Sequence, residues 1–347
     1  MQPAAPPRRV TIVDVAAHAR VSTTAVSKVI RNAYGVSPSM RTKVTAAIAE
    51  LGYRPSTGAR GMRGQTYTIG LMLPDLRNPF FPEIVDGFVE RLADTQYEVL
   101  LGTSFCGQEA ESRVTEAMID RGMDGVVLVA PTAAQAQLNR TAGILPIVVI
   151  GRHARSAVHD TVVDDDTVGA GLVVNHLADL GHRRIAHIAH QEKDAVRSAG
   201  MPNAIRAEGY QQAMRARGLA DEIDVVSTSY TEQGGYLGAR QLLGRRHPPT
   251  AIFAGADIAA MGVLQALAEA GLSVPEEISV VGYDNTTYAA LGPISLTSVD
   301  QAGRQIGSEA ARVLLERIAD RQKSSVFIST SPTLVVRRTT GPCPSEP

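Results

Sequence analysis

From Thr68 onward the chain alternates short apolar runs with amphipathic stretches, and that alternation leaves few folds open. The runs 68–73 (TIGLML), 98–104, 125–130 (GVVLVA), 147–151, 161–163, 184–189, 224–229, 251–254 and 278–283 (ISVVGY) read as strands, with shorter ones near 326–329 and 333–337. The stretches 80–95, 109–121, 166–180, 203–217, 232–243, 257–270 and 301–319 carry apolar residues at helical spacing. Strands alternating with helices in this way predict parallel sheets covered on both faces. About ten strands in roughly 280 residues exceed one compact α/β unit, so two lobes are expected. In such sheets ligands bind beyond the carboxyl ends of the strands. Attention falls on residues 75–81, Gly151-Arg152, Tyr230, Ala256-Asp257 and Asp284-Asn285.

The first 65 residues differ in kind. The whole chain has 34 Lys+Arg against 35 Asp+Glu. Residues 1–65 hold ten of those cations and two acids, Asp14 and Glu50, a balance of +8; the remaining 24 cations and 33 acids leave −9. A basic head on an acidic body is the electrostatic footprint of a polyanion binder; a solvated basic tail is the alternative. Thr11 can cap a helix bearing Ile12, Val15, Ala16 and Ala19. Arg20-Val21-Ser22 breaks it, and Ser22 caps a second helix with Ala25, Val26, Val29 and Ile30 inward. Thr23, Thr24, Ser27, Lys28 and Arg31 are then left outward. Ser37 and Pro38 start a third helix, buried along Val44, Ala47, Ile48 and Leu51 and ended by Gly52. Two helices joined by a three-residue turn suit a helix-turn-helix, whose second helix enters the DNA major groove. A generic helical bundle is the competing pattern.

The wording of the head goes further. Asp14-Val15-Ala16, Val21-Ser22, Ala25-Val26-Ser27-Lys28-Val29-Ile30 and Leu51-Gly52-Tyr53-Arg54-Pro55 closely resemble the lac-repressor (LacI/GalR) family of bacterial transcription regulators. Body motifs extend the match: Asn78-Pro79-Phe80-Phe81, Leu180-Gly181-His182, Arg206 with Gly209-Tyr210, Gly282-Tyr283-Asp284-Asn285 and Leu296-Thr297-Ser298-Val299-Asp300-Gln301. The resemblance implies a small all-α helix-turn-helix head on an α/β periplasmic-binding-protein-like body with two Rossmann-like lobes. It implies a homodimer on double-stranded, pseudo-palindromic operator DNA, controlled by a small molecule between the lobes. The expected divisions are a head at 8–55, a hinge at 56–65, an N-terminal lobe at 66–165 and 299–330, and a C-terminal lobe at 166–298 and 331–340.

On this resemblance the residues expected to meet DNA are Thr11, Ser22, Thr23, Thr24, Ser27, Lys28, Arg31, Arg41, Tyr53, Ala59, Arg60 and Met62. Arg20 stands where the family usually has Gly, and Arg31 where it usually has Asn. Residues 56–65 (STGARGMRGQ) match a hinge that becomes helical only on operator, with Met62 as the apolar wedge in the minor groove. Gly58 and Gly61 each weaken a helix by about 1 kcal/mol relative to Ala. This hinge is therefore expected to depend on DNA contacts from Arg60 and Arg63.

The residues expected to meet the effector are Asn78, Phe80, Phe81, Arg152, Arg206, Tyr230, Asp284 and Gln301. Competing explanations are a surface ion pair of Arg206 with Glu208, a capping role for Asp284 and core packing for Phe80 and Phe81. Ala256 stands where many relatives have Asn, and Gly151 where some have Asp, so a sugar, sugar acid, sugar phosphate or nucleoside all fit. Asp257 reads as a helix N-cap.

Other functions find less support. Asp164-Asp165-Asp166 reads as caps and turns rather than a cation site, and His182, His187 and His190 fit no zinc spacing. No cofactor is implied. Two cysteines, Cys106 and Cys343, build no disulfide framework and fit a reducing cytoplasm. No run approaches the roughly 18 apolar residues of a membrane span, and the first ten residues lack a secretory core. There is no G-x-S-x-G elbow, Walker loop or Rossmann glycine fingerprint, so no enzyme is expected. A solute-binding protein of the same body fold is the alternative, and it predicts a signal peptide and no DNA-binding head. The tail TTGPCPSEP carries no heptads, which favours a dimer over a zippered tetramer.

Overall fold

The computed structural model describes residues 10–30, 33–53, 65–105, 107–190 and 200–344, in two units, Met1–Thr66 and Tyr67–Pro347. Local chemistry sets the helices of the first. The Thr11 hydroxyl accepts from the Asp14 N–H while the Asp14 carboxylate accepts from the Thr11 N–H, a capping box that starts α1 (Ile12–Ala19). Arg20 ends it at φ 53°, ψ 48°, a left-handed conformation that disfavours a side chain by roughly 1 kcal/mol. Ser22 Oγ accepts from the Ala25 N–H and opens α2 (Thr23–Ile30). Ser37 caps α3 (Pro38–Leu51), with Pro38 in its first turn and Gly52 at φ 61° closing it. Val15, Ala16, Val26, Val29, Val44, Ala47 and Tyr53 pack between the three helices.

The second unit runs β1 (Thr68–Leu73), α4 (Phe80–Leu92), β2 (Glu98–Thr103), α5 (Gln108–Asp120), β3 (Gly125–Val129), α6 (Gln135–Ile144), β4 (Ile147–Ile150) and β5 (Asp160–Asp164). It continues α7 (Asp166–Asp179), β6 (Ile185–His190), α8 (Pro202–Ala216), β7 (Asp224–Thr228), α9 (Glu232–Leu243), β8 (Ala251–Ala254), α10 (Asp257–Glu269) and β9 (Ser279–Tyr283). β10 (Thr297–Asp300), α11 (Gly303–Ala319), β11 (Phe327–Thr330) and β12 (Thr333–Val335) complete it. Two six-stranded sheets result, ordered β11-β5-β4-β3-β1-β2 and β12-β10-β9-β8-β6-β7. All pairings are parallel except β10 with β12.

Each sheet buries both faces, as parallel strands require. In the first, Ile69, Leu71 and Leu73 meet Phe88, Ile306 and Leu314 of α4 and α11. Met72, Val126 and Leu128 point the other way onto Met118 and Leu138 of α5 and α6. The second sheet is covered likewise by α9 and α10 on one side and α7 and α8 on the other. The chain passes between the sheets three times: from β5 into α7, from β10 into α11, and from β11 into β12.

The strand and helix pattern read from the sequence reappears, with two omissions. β10 (TSVD) has no apolar run. Its Thr297 and Ser298 are fully buried because hydrogen bonds satisfy them: Ser298 Oγ donates to Asp257 and the Thr297 N–H donates to Thr339 Oγ1. α6 (QAQLNRTAGI) buries only Leu138 and Ala142, too few positions for a periodic signal.

Candidate functional site

In the head, Thr23, Thr24 and Lys28 stand exposed along α2, and the N-capping Thr11 and Ser22 are exposed beside their helix starts. Arg41 is half-buried on the first turns of α3. Two residues differ from expectation. Ser27 is 8% exposed, because it follows Val26 on the side of α2 turned to the core. Tyr53 is 9% exposed and its ring belongs to the head core, so it supports the fold rather than offering a free face to DNA. Arg31, Ala59, Arg60 and Met62 lie outside the described residues, as do Gly58, Gly61 and Arg63.

In the body, residues from both sheets converge on one carboxyl. Asp284 follows β9, is 3% exposed and has φ 120°. Gln301 follows β10 at a crossing and donates from Nε2 to Asp284 Oδ1 at 2.5 Å. Asn78 follows β1 in the other lobe and donates from Nδ2 to Asp284 Oδ2 at 3.4 Å, while its Oδ1 accepts from the Phe80 N–H. Burial, with the Asp257 charge adding, holds the Asp284 carboxyl well above the usual range. The cap proposed for Asp284 as an alternative is not its role.

A second constellation lies at the β5–α7 crossing. Arg206 of α8 is 3% exposed and sends Nε and Nη2 to Asp166 Oδ1 at 3.0 and 2.6 Å. Its Nη1 donates to the Gly255 carbonyl, and the guanidinium lies 3.5 Å from the Tyr283 ring centroid. The surface pair with Glu208 does not form; Glu208 accepts from Gln212. His153, after β4, reaches Asp166 Oδ2 at 2.9 Å, and the Tyr283 hydroxyl donates to Asp164 Oδ2 at 2.9 Å. Both contacts join the two lobes. Burial and the neighbouring Asp166 push the Asp164 carboxyl up to about 7. His153, which burial alone would lower, is raised by its bond to Asp166. Tyr230, after β7, is half-buried with its ring 5.8 Å from the Arg206 guanidinium. Its hydroxyl and the Thr228 Oγ1 are buried without hydrogen-bond partners among the described residues, the condition of groups that await water or a ligand.

Three expected residues stand apart. Phe80 is 8% exposed within the first lobe's core, with Phe81 packed partly against the same core. Arg152 is 9% exposed and its Nη1 donates to the carbonyls of Pro131 and Ala133 in its own lobe. Burial lowers its guanidinium, and it has turned into the lobe rather than toward Asp284. Asp257 caps nothing: the N-cap of α10 is Ala256, without a side-chain bond.

His153, Asp164 and Asp166 present ligand-type atoms within 4.8 Å of one another. Asp166 already accepts from Arg206 and His153, and Asp164 accepts from Tyr283, so a guanidinium fills the place a cation would take.

Comparisons with known proteins decide the family. A model of the bacterial regulatory proteins, lacI family, matches residues 11–56, and one of the periplasmic binding protein-like domain matches 174–340. Over 335 residues the chain is 34% identical to the HTH-type transcriptional repressor PurR of Erwinia tasmaniensis, covering 94% of this chain and 96% of that one. The chain belongs to the lacI family of bacterial regulatory proteins. It is a transcription regulator with a helix-turn-helix head and a body of the periplasmic-binding-protein fold. A solved lac repressor dimer, bound to operator and the anti-inducer ONPF, is 25% identical with a TM-score of 0.81, over 96% of this chain and 100% of that one. A CelR–cellobiose complex is 29% identical with a TM-score of 0.70, over 95% and 100%.

Within this lacI-family regulator, sequence reading missed Asp166, His153, Asp164 and Tyr283 as one cluster. The acidic triplet was the visible signal. Asp165 does cap α7, through the Val168 N–H, but its neighbours turn inward to partners 40 and 119 positions away.

Proposed function

We propose that this regulator is a repressor whose hold on operator DNA is set by a small uncharged, hydroxyl-rich effector bound between the lobes. The observation that carries the reading is the meeting of Asn78 from one lobe, Asp284 from the other and Gln301 at the crossing on a single buried carboxyl. A hydroxylated ligand offers donors to that carboxyl and to the Tyr230 hydroxyl, which has no partner among the described residues. Among sugar, sugar acid, sugar phosphate and nucleoside, the electrostatics favour the uncharged classes. Arg206 is already paired with Asp166, and Arg152 faces carbonyls of its own lobe, so an anion would be buried in the cleft with no free countercharge from either.

The working division is a head at 8–55, a hinge at 56–65 and two interleaved lobes, 66–165 with 301–330 and 166–300 with 331–340; the expected boundary at 298–299 moves because it would cut β10, which pairs in the second sheet. Two such chains form a homodimer whose heads read half-sites through Thr23, Thr24 and Lys28, in the cytoplasm and without catalysis. Among the described residues no helix is long and apolar enough to cross a membrane. The relatives named above, a repressor and a dimer on operator, support this reading over a solute-binding role.

A thermal-shift screen of sugars, sugar acids, sugar phosphates and nucleosides tests it. An uncharged compound should raise the melting temperature of the wild type and not of Asp284→Asn, and should alter retention of operator DNA in a binding titration. A shift confined to anionic compounds would overturn the charge argument.

A further inference from the structure

The turn that carries Asp284 is held in a conformation its residues do not favour. Asp284 has φ 120° and Asn285 φ 53°, two successive non-glycine residues in the left-handed half of backbone space. Such a turn persists only where surrounding bonds over-determine it. Several of those bonds gather on one side chain. Asp257, 1% exposed at the start of α10, accepts at Oδ2 from the Thr286 N–H at 2.7 Å and the Thr286 hydroxyl at 3.0 Å. At Oδ1 it accepts from the Ser298 hydroxyl at 2.6 Å. Ser298 Oγ in turn accepts from the Asn285 N–H at 3.0 Å, so the carboxylate grips both residues that follow Asp284. The absence of a side chain at Gly282 lets it approach: a Cβ there would run into Asp257 Oδ1.

We propose that Asp257 is a positioning residue of the effector site, whose carboxylate clamps the Asp284–Thr286 turn and so presents the Asp284 carboxyl to the cleft. A purely local role for Asp257 at its own helix fits less well. α10 takes Ala256 as its N-cap, and the bonds of the Asp257 carboxylate recorded above all run to β10 and to the turn after β9. Burying an acid there is unfavourable unless its oxygens are satisfied, and the turn and Ser298 supply the donors. Asn285 is braced from the far side as well, donating to Asp300 Oδ2 and accepting from Arg337 Nη2. That second brace holds the Asn285 side chain and leaves the backbone of Thr286 to Asp257. The consequence for ligand binding rests on the proposed role of Asp284, whereas the clamp does not.

Hydrogen exchange followed by mass spectrometry on the unliganded full-length chain separates the two. In Asp257→Asn the amides of Asn285 and Thr286 should exchange at least about tenfold faster, while peptides covering Ile252–Phe253 and Val280–Val281 keep their wild-type rates. Asp284→Gly removes the side chain that makes φ 120° unfavourable. In that background Asp257→Asn should change the exchange of the turn by less than about twofold. Unchanged exchange in the turn, acceleration spread evenly over the second lobe, or full additivity with Asp284→Gly would each overturn the clamp. A turn that loosens as expected, in a protein whose melting no sugar or nucleoside alters, would overturn the effector reading and leave the clamp standing.

Discussion

At the scale of single residues, the informative groups are polar side chains buried where a surface role was expected. The family motif marks Arg206 as a ligand grip, and its nearest acid in sequence is Glu208, two positions on. Its actual partner, Asp166, is 40 positions away, and no local pattern encodes that distance. Arg206→Ala should therefore leave the buried Asp166 carboxylate with His153 as its remaining partner and lower stability by up to about 3–5 kcal/mol, read from urea unfolding. Arg206→Lys keeps the charge and loses the fork and the stack on Tyr283, so it should fall between the two. The proton on Asp164 gives a second test. Its folded carboxyl is pushed up to about 7 by burial and by Asp166, while the unfolded one titrates in the ordinary carboxylate range. The folded state thus binds the proton more tightly, and stability falls as pH rises between those two values and is level above. The stability of wild type relative to Asp164→Asn should decline from pH 5 to pH 8 in urea titrations; a difference that grows with pH would show that Asp164 is held ionised. The triplet was legible as a feature, but its partners Tyr283 and Arg206 became visible only through the fold.

At the scale of elements, legibility followed the strength of local signals. Capping residues placed all three head helices, because Thr11, Ser22 and Ser37 bond their own helix starts within three residues. Apolar runs placed most of the body's strands. β10 escaped because its inward residues are Thr297 and Ser298, kept dry by distant partners, and α6 because it buries two residues. The same logic predicts what single changes do to α1. Thr11→Ala removes one half of the capping box and should destabilise the head by about 1 kcal/mol. Arg20→Gly relieves a left-handed residue and should stabilise the head by roughly 0.5–1 kcal/mol. Amide exchange along Val15–Ala19 in the full-length chain reads both: faster in the first variant, slower in the second. Equal rates in Arg20→Gly would mean that the Arg20 side chain contributes packing that offsets the backbone gain.

At the scale of the molecule, charge is the property that the total concealed. A balance of +8 in the first 65 residues and −9 in the rest puts the affinity for a polyanion in the head and sets the body against it. Phosphate contacts of the head should dominate binding, and log K should fall linearly with log salt, by about 0.9 per phosphate neutralised. Lys28, exposed in the last turn of α2, can act in either of two ways. As a phosphate contact, its loss in Lys28→Ala weakens operator and unrelated DNA alike and lowers the salt slope by about 0.9 for each head engaged, hence by about twice that in a dimer. As a reader of base edges, its loss weakens operator binding about five- to hundredfold more than binding to unrelated DNA, with a similar slope. Its position on the exposed face beside Thr23 and Thr24, where α2 would enter the groove, favours the second outcome. Titrations of wild type and Lys28→Ala on operator and on scrambled duplex, each at four salt concentrations, separate the two by slope and by ratio. A variant that matches wild type on both duplexes would place α2 away from the groove and return the head's specificity to another face.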